Sequence, residues 1–249
     1  MSGHSKWSSI KHKKGAADAK RGRVFTKIIK EISIAARMGG GDPDGNPRLR
    51  RAIDLAKSNN MPQDNITRAV KKGTGELEGV SYEELTYEGV GAAGALILVR
   101  VVTDNRNRTA AELRKLFDKR NGQLSSAGSA AWAFEEKGTI TMPAEAATEE
   151  QLFDVAVGTG AEEVEQIGES WIITTPKEQL DEVRGALAEA EIEISSADLD
   201  MLPKNRKTVD GRHADNMMSL VDELEDHDDV QKVFTDFDIA EQDLERLAR

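Results

Sequence analysis

Residues 95–117 read ALILVRVVTDNRNRTAAELRKLF. The first nine residues are mostly apolar, with many β-branched side chains, and they predict a buried strand at 95–103. Downstream, Thr109 and Glu112 have the spacing of a helix capping box, and apolar residues recur after them at helical intervals. The stretch therefore predicts a core strand that leads directly into an amphipathic helix, as in domains where helices cover one face of a sheet.

The sequence after this stretch continues the alternation of strands and helices. A complete βαββαβ order, typical of the ferredoxin-like module, is predicted from strands at 139–142, 163–166, 171–175 and 192–194 and helices at 149–157 and 177–190. A second βαββαβ order combines the opening strand and helix with strands at 130–134, 197–202 and 230–237 and a helix at 215–224. A further strand is predicted at 82–87. We therefore expect one ferredoxin-like domain with a second inserted between its halves.

The N-terminal third predicts three short amphipathic helices that begin at residue 23. The Gly39–Gly41 run ends the first, Pro47 and Pro62 open the next two, and Gly73 ends the third. The predicted fold class is α+β, with a small three-helix domain followed by two ferredoxin-like α/β domains, the second inserted in the first. The predicted bounds are a basic arm at 1–22, a helical nucleic-acid-binding domain at 23–76, an outer α/β domain at 77–136 plus 197–249, and an inserted α/β domain at 137–196.

Charge is distributed unevenly along the chain. The net charge is −11, yet residues 1–72 contain 17 Lys and Arg against 6 Asp and Glu, and the rest contains 17 against 39. Such an asymmetry is typical of a segment that meets a polyanion, attached to a body that does not. A membrane partner is not expected, because no apolar stretch is long enough to span a bilayer and the basic segment has few aromatic residues for insertion.

The basic side chains are the candidate binding residues, because Lys and Arg bind phosphate through counterion release and Arg also stacks on bases. Trp7 has two open interpretations, packing on the helices or stacking on an unpaired base. Arg106 and Arg108 are expected to project beside a helix N-terminus, which itself favours anions. The full predicted nucleic-acid-binding set is Lys6, Trp7, Lys11, His12, Lys13, Lys14, Lys20, Arg21, Arg23, Lys27, Lys30, Arg48, Arg51, Arg68, Lys72, Arg106 and Arg108.

Signals for catalysis are absent from the sequence. There is no phosphate-binding glycine motif of the nucleotide-binding folds, and zero cysteines exclude thiol catalysis and cysteine-ligated zinc. His227 lies in the acidic run 222–229, which we interpret as a solvated helix end and turn. The sequence therefore predicts a soluble, cytoplasmic, non-enzymatic protein without cofactor or metal.

Seven segments, in order along nearly the whole chain, are similar to segments of the YebC family. They are GHSKW at 3–7, IKHKK at 10–14, DAKRG at 18–22, NPRLR at 46–50, NMP at 60–62, TDNRNRT at 103–109 and LEDHDDVQ at 224–231. Two turns depart from the family pattern, GAAG at 91–94 and NGQLS at 121–125, so no family role is transferred to them.

The resemblance implies three domains, one helical and two α/β, and a role in gene expression without catalysis. Family members are described both as DNA-binding transcriptional regulators and as ribosome-associated translational activators. A flexible basic arm with one aromatic residue favours folded ribosomal RNA. Promoter DNA, read by the third helix through Asn65 and Arg68, is the alternative. A protein-interaction scaffold is the third possibility. The oligomeric state is left open, with a monomer favoured.

Overall fold

The structure is a computed structural model that describes residues 17–240, with side chains from residue 22 onward. Its helices are α1 (Ala17–Gly39), α2 (Pro47–Ser58), α3 (Gln63–Thr74), α4 (Arg106–Lys119), α5 (Glu149–Ala156), α6 (Leu180–Glu189) and α7 (Gly211–Glu225). Its strands are β1 (Glu83–Val90), β2 (Leu96–Thr103), β3 (Gln123–Ser125), β4 (Phe134–Pro143), β5 (Glu163–Ile167), β6 (Ser170–Pro176), β7 (Ser196–Pro203), β8 (Lys207–Val209), β9 (Val230–Thr235) and β10 (Phe237–Ile239).

The described chain divides into two compact units. The first comprises 17–131 with Asp215–Val233, and the second comprises Trp132–Ala214 with 234–240. Helices come first, and the second unit interrupts the first along the chain, so the predicted α+β class with one α/β part inserted in another is confirmed. The domain bounds expected from the sequence stay a prediction. Within 17–240, none of the helices combines the length and apolar character needed to cross a membrane.

Helices α1, α2 and α3 share one apolar core in the first unit. Its fully buried members include Ile32, Leu49 and Ile66, one from each helix. Helix α1 begins at Ala17, so the prediction that helical structure starts at residue 23 was wrong. The added residues include Ala, Lys and Arg, which are good helix formers, and no Pro or Gly precedes residue 22 within the helix.

Asn46 joins the first two helices. Its side-chain oxygen accepts a hydrogen bond from the Leu49 N–H at 3.1 Å and caps α2, and Pro47 follows as the first helical residue. Its Nδ2 donates to the carbonyl oxygens of Ala35 and Gly40, both at 2.9 Å. One buried amide thus satisfies backbone groups at the end of α1 and at the start of α2, which fixes the turn between them.

The sheet of the second unit has the strand order β5-β6-β4-β7. Together with α5 and α6, these strands give the ferredoxin-like βαββαβ order. Its last strand differs from the prediction, because residues 192–194 form no strand and β7 pairs with β4 instead, with Gly138 opposite Leu199. The strand at 197–202 had been expected in the outer domain. The sequence did not reveal that β4 extends over ten residues and offers both edges for pairing.

The sheet of the first unit has the order β3-β1-β2-β9. It begins with an antiparallel hairpin in which Tyr87 lies opposite Val99. Both strands were predicted, at 82–87 and 95–103, but the predicted βαββαβ order left out the first of them and included a strand at 130–134. Residues 131–133 form a short turn of 3₁₀ helix instead.

The prediction of a capping box at Thr109 was also wrong. Asn105 caps α4 by accepting from the Arg108 N–H at 3.1 Å, so Thr109 lies inside the helix.

Gly73 is a packing residue and not the predicted helix terminator. The cap of α3 is Gly75, at φ 82°. A Cβ placed on Gly73 would lie 2.3 Å from the Ser33 carbonyl oxygen and 2.8 Å from the Ala36 Cβ. Helices α1 and α3 can therefore approach closely only because residue 73 has no side chain.

Replacing Gly73 with Ala should destabilise the protein by about 1–3 kcal/mol, because the new methyl group forces two packed helices apart. Urea unfolding followed by circular dichroism measures the change. The matched control is Gly185→Ala within α6, where a Cβ meets nothing within 4 Å. That variant should gain roughly 0.5–1 kcal/mol from helix propensity, and equal effects of the two substitutions would contradict the packing role of Gly73.

The Asp229 cluster and the candidate nucleic-acid interface

Eight of the predicted binding residues cannot be placed by their side chains. Residues Lys6, Trp7, Lys11, His12, Lys13 and Lys14 lie outside the described part of the chain, and so do the side chains of Lys20 and Arg21. Arg51 lies on α2, is half-buried and is engaged in a contact within the chain. The other predicted residues fall into two groups. One group binds acidic partners of the first unit, and the other is displayed on α2 and α3.

Lys30 is buried, with 7% exposure, so the expectation that it lies on an outer basic surface was wrong. Its ammonium group donates to an Asp229 carboxylate oxygen at 2.6 Å and to the Asp228 carbonyl oxygen at 2.9 Å. The Tyr82 ring adds a cation–π contact, with its centroid 5.8 Å from Nζ. These partners replace the water that a buried ammonium loses.

The other oxygen of Asp229 is held by the TDNRNRT segment. It accepts from the hydroxyls of Thr109 at 2.6 Å and Thr103 at 3.1 Å, and from the Arg108 guanidinium at 2.9 Å. Burial alone would raise the pKa of Asp229, but the hydrogen bonds from Lys30, Thr109 and Arg108 outweigh it and hold that pKa well below its ordinary value. Two segments far apart in sequence, both noted for their family resemblance, therefore form one cluster.

His227 completes this cluster through a defined ring orientation. The backbone N–H of Asp229 donates to the His227 Nδ1 at 3.1 Å. Nδ1 is therefore an acceptor, and the proton lies on Nε2, which is 2.9 Å from a Glu112 carboxylate oxygen. The interpretation of this acidic run as a solvated turn was wrong, because the run is anchored to α1 and α4.

Four predicted binding residues contact this acidic segment. In addition to Lys30 and Arg108, Arg23 forms an ion pair with Asp226 at 3.1 Å, and the Lys27 ammonium donates to the Glu225 carbonyl oxygen. The segment 225–229 thus occupies much of the basic face of α1 that the sequence offered to nucleic acid. Intramolecular carboxylates and carbonyls take the place that phosphate was expected to fill.

Arg48 and Arg106 are also paired within the first unit. Arg48 bonds Glu31 through Nε at 2.7 Å and Glu84 at 2.8 Å, and its side chain is 27% exposed. It links α1, α2 and β1, and its expected position on an open surface was wrong. Arg106 pairs with Glu83 at 2.8 Å but is 60% exposed, so a ligand can reach it.

A cleft of about 920 Å³ opens beside the cluster. Its lining mixes both signs of charge and includes Lys115, Lys119, Asp104 and Asp226. Glu112, His227 and Asp229 bring ligand-type atoms within 4.8 Å of one another. A cation there would compete with the ammonium and guanidinium already bound to Asp229, so the donor set does not favour a metal.

The second group of basic residues is displayed on α2 and α3. Lys71 and Lys72 lie three and four positions after Arg68, and all three are exposed, as is Lys57 in the last turn of α2. Within residues 22–240, these four side chains have no ion pair or hydrogen bond. Lys57 and Lys71 were missing from the predicted set, although Lys71 lies three positions after Arg68, a spacing that places both on neighbouring parts of the helix surface.

Replacing Asp229 with Asn should destabilise the protein by about 3–5 kcal/mol, because Lys30 then stays buried without a counter-charge. The matched control is Asp228→Asn, an exposed neighbour whose side chain has no partner in the described residues; it should change stability by less than about 0.5 kcal/mol. Urea unfolding at neutral pH compares the two variants.

The pH dependence of the Asp229→Asn effect has a defined sign. The pKa of Asp229 is lower in the folded chain than in the unfolded one, so its contribution is complete above the ordinary value of about 3.9 and disappears as the pH falls through the folded value. The difference from wild type should be constant between about pH 5 and 8 and shrink in acid. A difference that grew on acidification would contradict the cluster.

Two models of known protein families match the chain, one over its N-terminal part and one over most of the remainder. Residues 5–76 match the TACO1/YebC protein N-terminal domain, and residues 82–237 match the TACO1/YebC second and third domain. A probable transcriptional regulatory protein of Desulfotalea psychrophila is 56% identical over 250 residues, covering 100% of both chains. Another, from Geobacter sulfurreducens, is 53% identical over 247 residues, covering 99% of this chain and 100% of that protein.

A solved structure agrees with these sequence matches. The crystal structure of a conserved hypothetical protein from Aquifex aeolicus has a TM-score of 0.89 and 44% identity, and the match covers 95% of this chain and 98% of that one. Both family models together span most of the sequence, in the expected order. The chain therefore belongs to the TACO1/YebC family.

Proposed function

We propose that this protein is a non-catalytic, nucleic-acid-binding regulator of gene expression that acts in the cytoplasm on ribosomal RNA, as a ribosome-associated translation factor. The exposed, unpaired cations of α2 and α3 carry the proposal. Arg68, Lys71 and Lys72 lie on one helix face, and the segment that precedes α1 adds further lysines. Phosphate groups supply the missing counter-charge and release condensed ions on binding.

The internal pairing of the other cations sharpens this proposal. Arg23, Lys30, Arg48 and Arg108 each have a carboxylate partner, so their contribution to attracting phosphate is reduced. The attraction of phosphate groups is then concentrated at α3, Lys57 and the N-terminal lysines. The acidic remainder repels bare phosphate and limits contact to this region, which favours a defined docking site over general coating of a polyanion.

Regulation without catalysis is supported by the chemistry of the Asp229 cluster. Its carboxylate is fully engaged by four donors, and His227 is held by a backbone N–H and by Glu112. Neither group is free to take a proton from a substrate without breaking these bonds. The relatives named as probable transcriptional regulatory proteins are consistent with a regulatory role.

Promoter DNA is the second candidate, and one observation favours it. Helices α2 and α3 are joined by only four residues, with Asn60 at φ 57° and Pro62 immediately before α3. Two helices with so short a connection are typical of helix-turn-helix DNA readers. In that case Asn65 and Arg68, near the start of α3, are the side chains placed to reach base edges.

The double substitution Lys71→Glu and Lys72→Glu should release the protein from ribosomes in sucrose gradients of cell lysate, because it reverses two exposed charges on the proposed interface. A second pair, Lys13→Glu and Lys14→Glu, tests the N-terminal lysines. The matched control is Arg114→Glu with Lys115→Glu, an adjacent exposed basic pair on α4. For every phosphate that a variant no longer binds, the salt dependence of binding to purified ribosomes should fall by about 0.7–0.9 in log–log slope.

The outcomes separate the candidates. If both test variants are released from ribosomes and the α4 control stays bound, the result supports ribosomal RNA binding through α3 and the N-terminal lysines. If wild-type protein stays at the top of the gradient but shifts promoter DNA, and Arg68→Ala weakens that shift, promoter DNA replaces ribosomal RNA as the proposed ligand. Partner binding that is independent of salt and unaffected by either test pair would favour a protein-interaction scaffold.

A further inference from the structure

The second unit contains two tryptophans, one buried and one exposed. Trp171 is 7% exposed, and its Nε1–H donates to the carbonyl oxygens of Ala144 and Ala147. Trp132 is 67% exposed. A large aromatic ring at the surface leaves apolar area in water that most proteins bury or use for binding.

The backbone around Trp132 is fixed although its ring is exposed. The residues that follow it, Ala133 and Phe134, are 8% and 4% exposed. Lys204 donates from its backbone N–H to the Ala133 carbonyl oxygen at 2.9 Å, and from Nζ to the Trp132 carbonyl oxygen, also at 2.9 Å. These bonds lie just beyond the end of the β4–β7 pairing, where Phe134 is opposite Pro203. The indole is therefore presented from a rigid base.

Three cations lie in the segment 204–207, which contacts the backbone of Trp132 through Lys204, in an otherwise acidic part of the chain. Lys204 and Arg206 lie in the connection between β7 and β8, Lys207 is the first residue of β8, and all three are exposed. Among residues 22–240, none of these side chains is in an ion pair. Lys204 and Arg206 also line a groove of about 340 Å³, together with Glu163 and Glu165. Positive charge therefore adjoins Trp132 through Lys204, whose Nζ donates to the Trp132 carbonyl oxygen.

An aromatic platform with adjacent cations has the composition of a site for an unpaired nucleotide. Bases of any sequence stack on an exposed ring, and Lys or Arg beside it binds the phosphate. A base-paired helix does not expose a base face, so a duplex cannot use the ring in this way. We propose that Trp132, with Lys204, Arg206 and Lys207, binds unpaired nucleotides of single-stranded RNA. This proposal rests on the proposed function and adds a second contact, in the other unit of the chain.

The full-length protein is titrated against a fluorescein-labelled oligouridylate of about 12 nucleotides, within the site sizes of single-strand binders. Trp132→Ala should weaken binding by about 5- to 150-fold, the effect of losing one base stack. Trp132→Phe should retain most of the affinity, because a phenyl ring also stacks. Since Trp132 is exposed, both variants should keep the wild-type unfolding transition. The matched control is Phe153→Ala, an exposed aromatic residue on α5 with 47% exposure, which should bind as wild type does.

A spectroscopic readout tests stacking directly. On a Trp7→Phe background, oligouridylate should quench the long-wavelength emission of Trp132 and leave the buried Trp171 unaffected. Arg206→Glu with Lys207→Glu should lower the salt slope by about 0.7 for each phosphate that is no longer bound. Equal quenching by oligoglutamate would overturn the proposal, because the patch would then bind acidic peptides.

The outcomes distinguish this proposal from the proposed function. If Trp132→Ala binds oligouridylate as wild type does, and Lys71→Glu with Lys72→Glu still releases the protein from ribosomes, the Trp132 site is wrong and the proposed function stands. If the Trp132 variants lose oligouridylate binding while the α3 pair leaves ribosome binding intact, the Trp132 site stands and the α3 interface fails. Absence of any binding by wild type to oligouridylate or ribosomes overturns both.

Discussion

The ion pair between Lys30 and Asp229 is the interaction on which the first unit depends. It joins the middle of α1 to the start of β9, and the same carboxylate holds Thr103 at the end of β2 and Thr109 in α4. Both charged groups are almost fully buried, so removing either one leaves the other in the interior without its nearest counter-charge. An apolar contact would hold these elements together equally well. The charged contact also fixes their register, because only one arrangement satisfies all four donors.

Much of the fold could be predicted from local patterns, and the failures arose where long-range contacts decided the outcome. The three N-terminal helices followed from apolar spacing and Pro47, and β2 followed from the apolar run at 95–103. The βαββαβ order of the second unit followed from the alternating strand and helix patterns after residue 138. The pairing of β7 with β4 depends on which of two exposed edges is available, and no residue within 196–203 signals that choice. Thr109 was misread as a cap because its hydroxyl is used by a carboxylate 120 positions away.

The candidate site shows the same division. Sequence composition located the basic segment, but it could not separate cations that serve the fold from cations that are free to bind. Lys30 and Arg48 look like Arg68 and Lys72 in sequence, yet the first two are matched by carboxylates and the last two are not. Trp132 carried no local signal, since its exposure follows from the turn that ends at β4. The acidic run 222–229 was interpreted as solvated. It instead pairs with basic residues of α1 and with Arg108, and this pairing separates the cations that serve the fold from those that are free to bind.

The distance along the chain between Lys30 and Asp229 has a consequence for biosynthesis. The two residues are 199 positions apart, and most of the second unit, Trp132–Ala214, lies between them. The N-terminal helices leave the ribosome long before Asp229 is made, so Lys30 and its neighbours spend that interval without their acidic partner. The intervening sheet of β4 to β7, with α5 and α6, is complete earlier and has mostly local connections. This favours its folding first and shortens the effective loop that the ion pair has to close. The nascent chain therefore presents a more strongly basic face than the finished protein, and closure of the Asp229 cluster is the event that removes it.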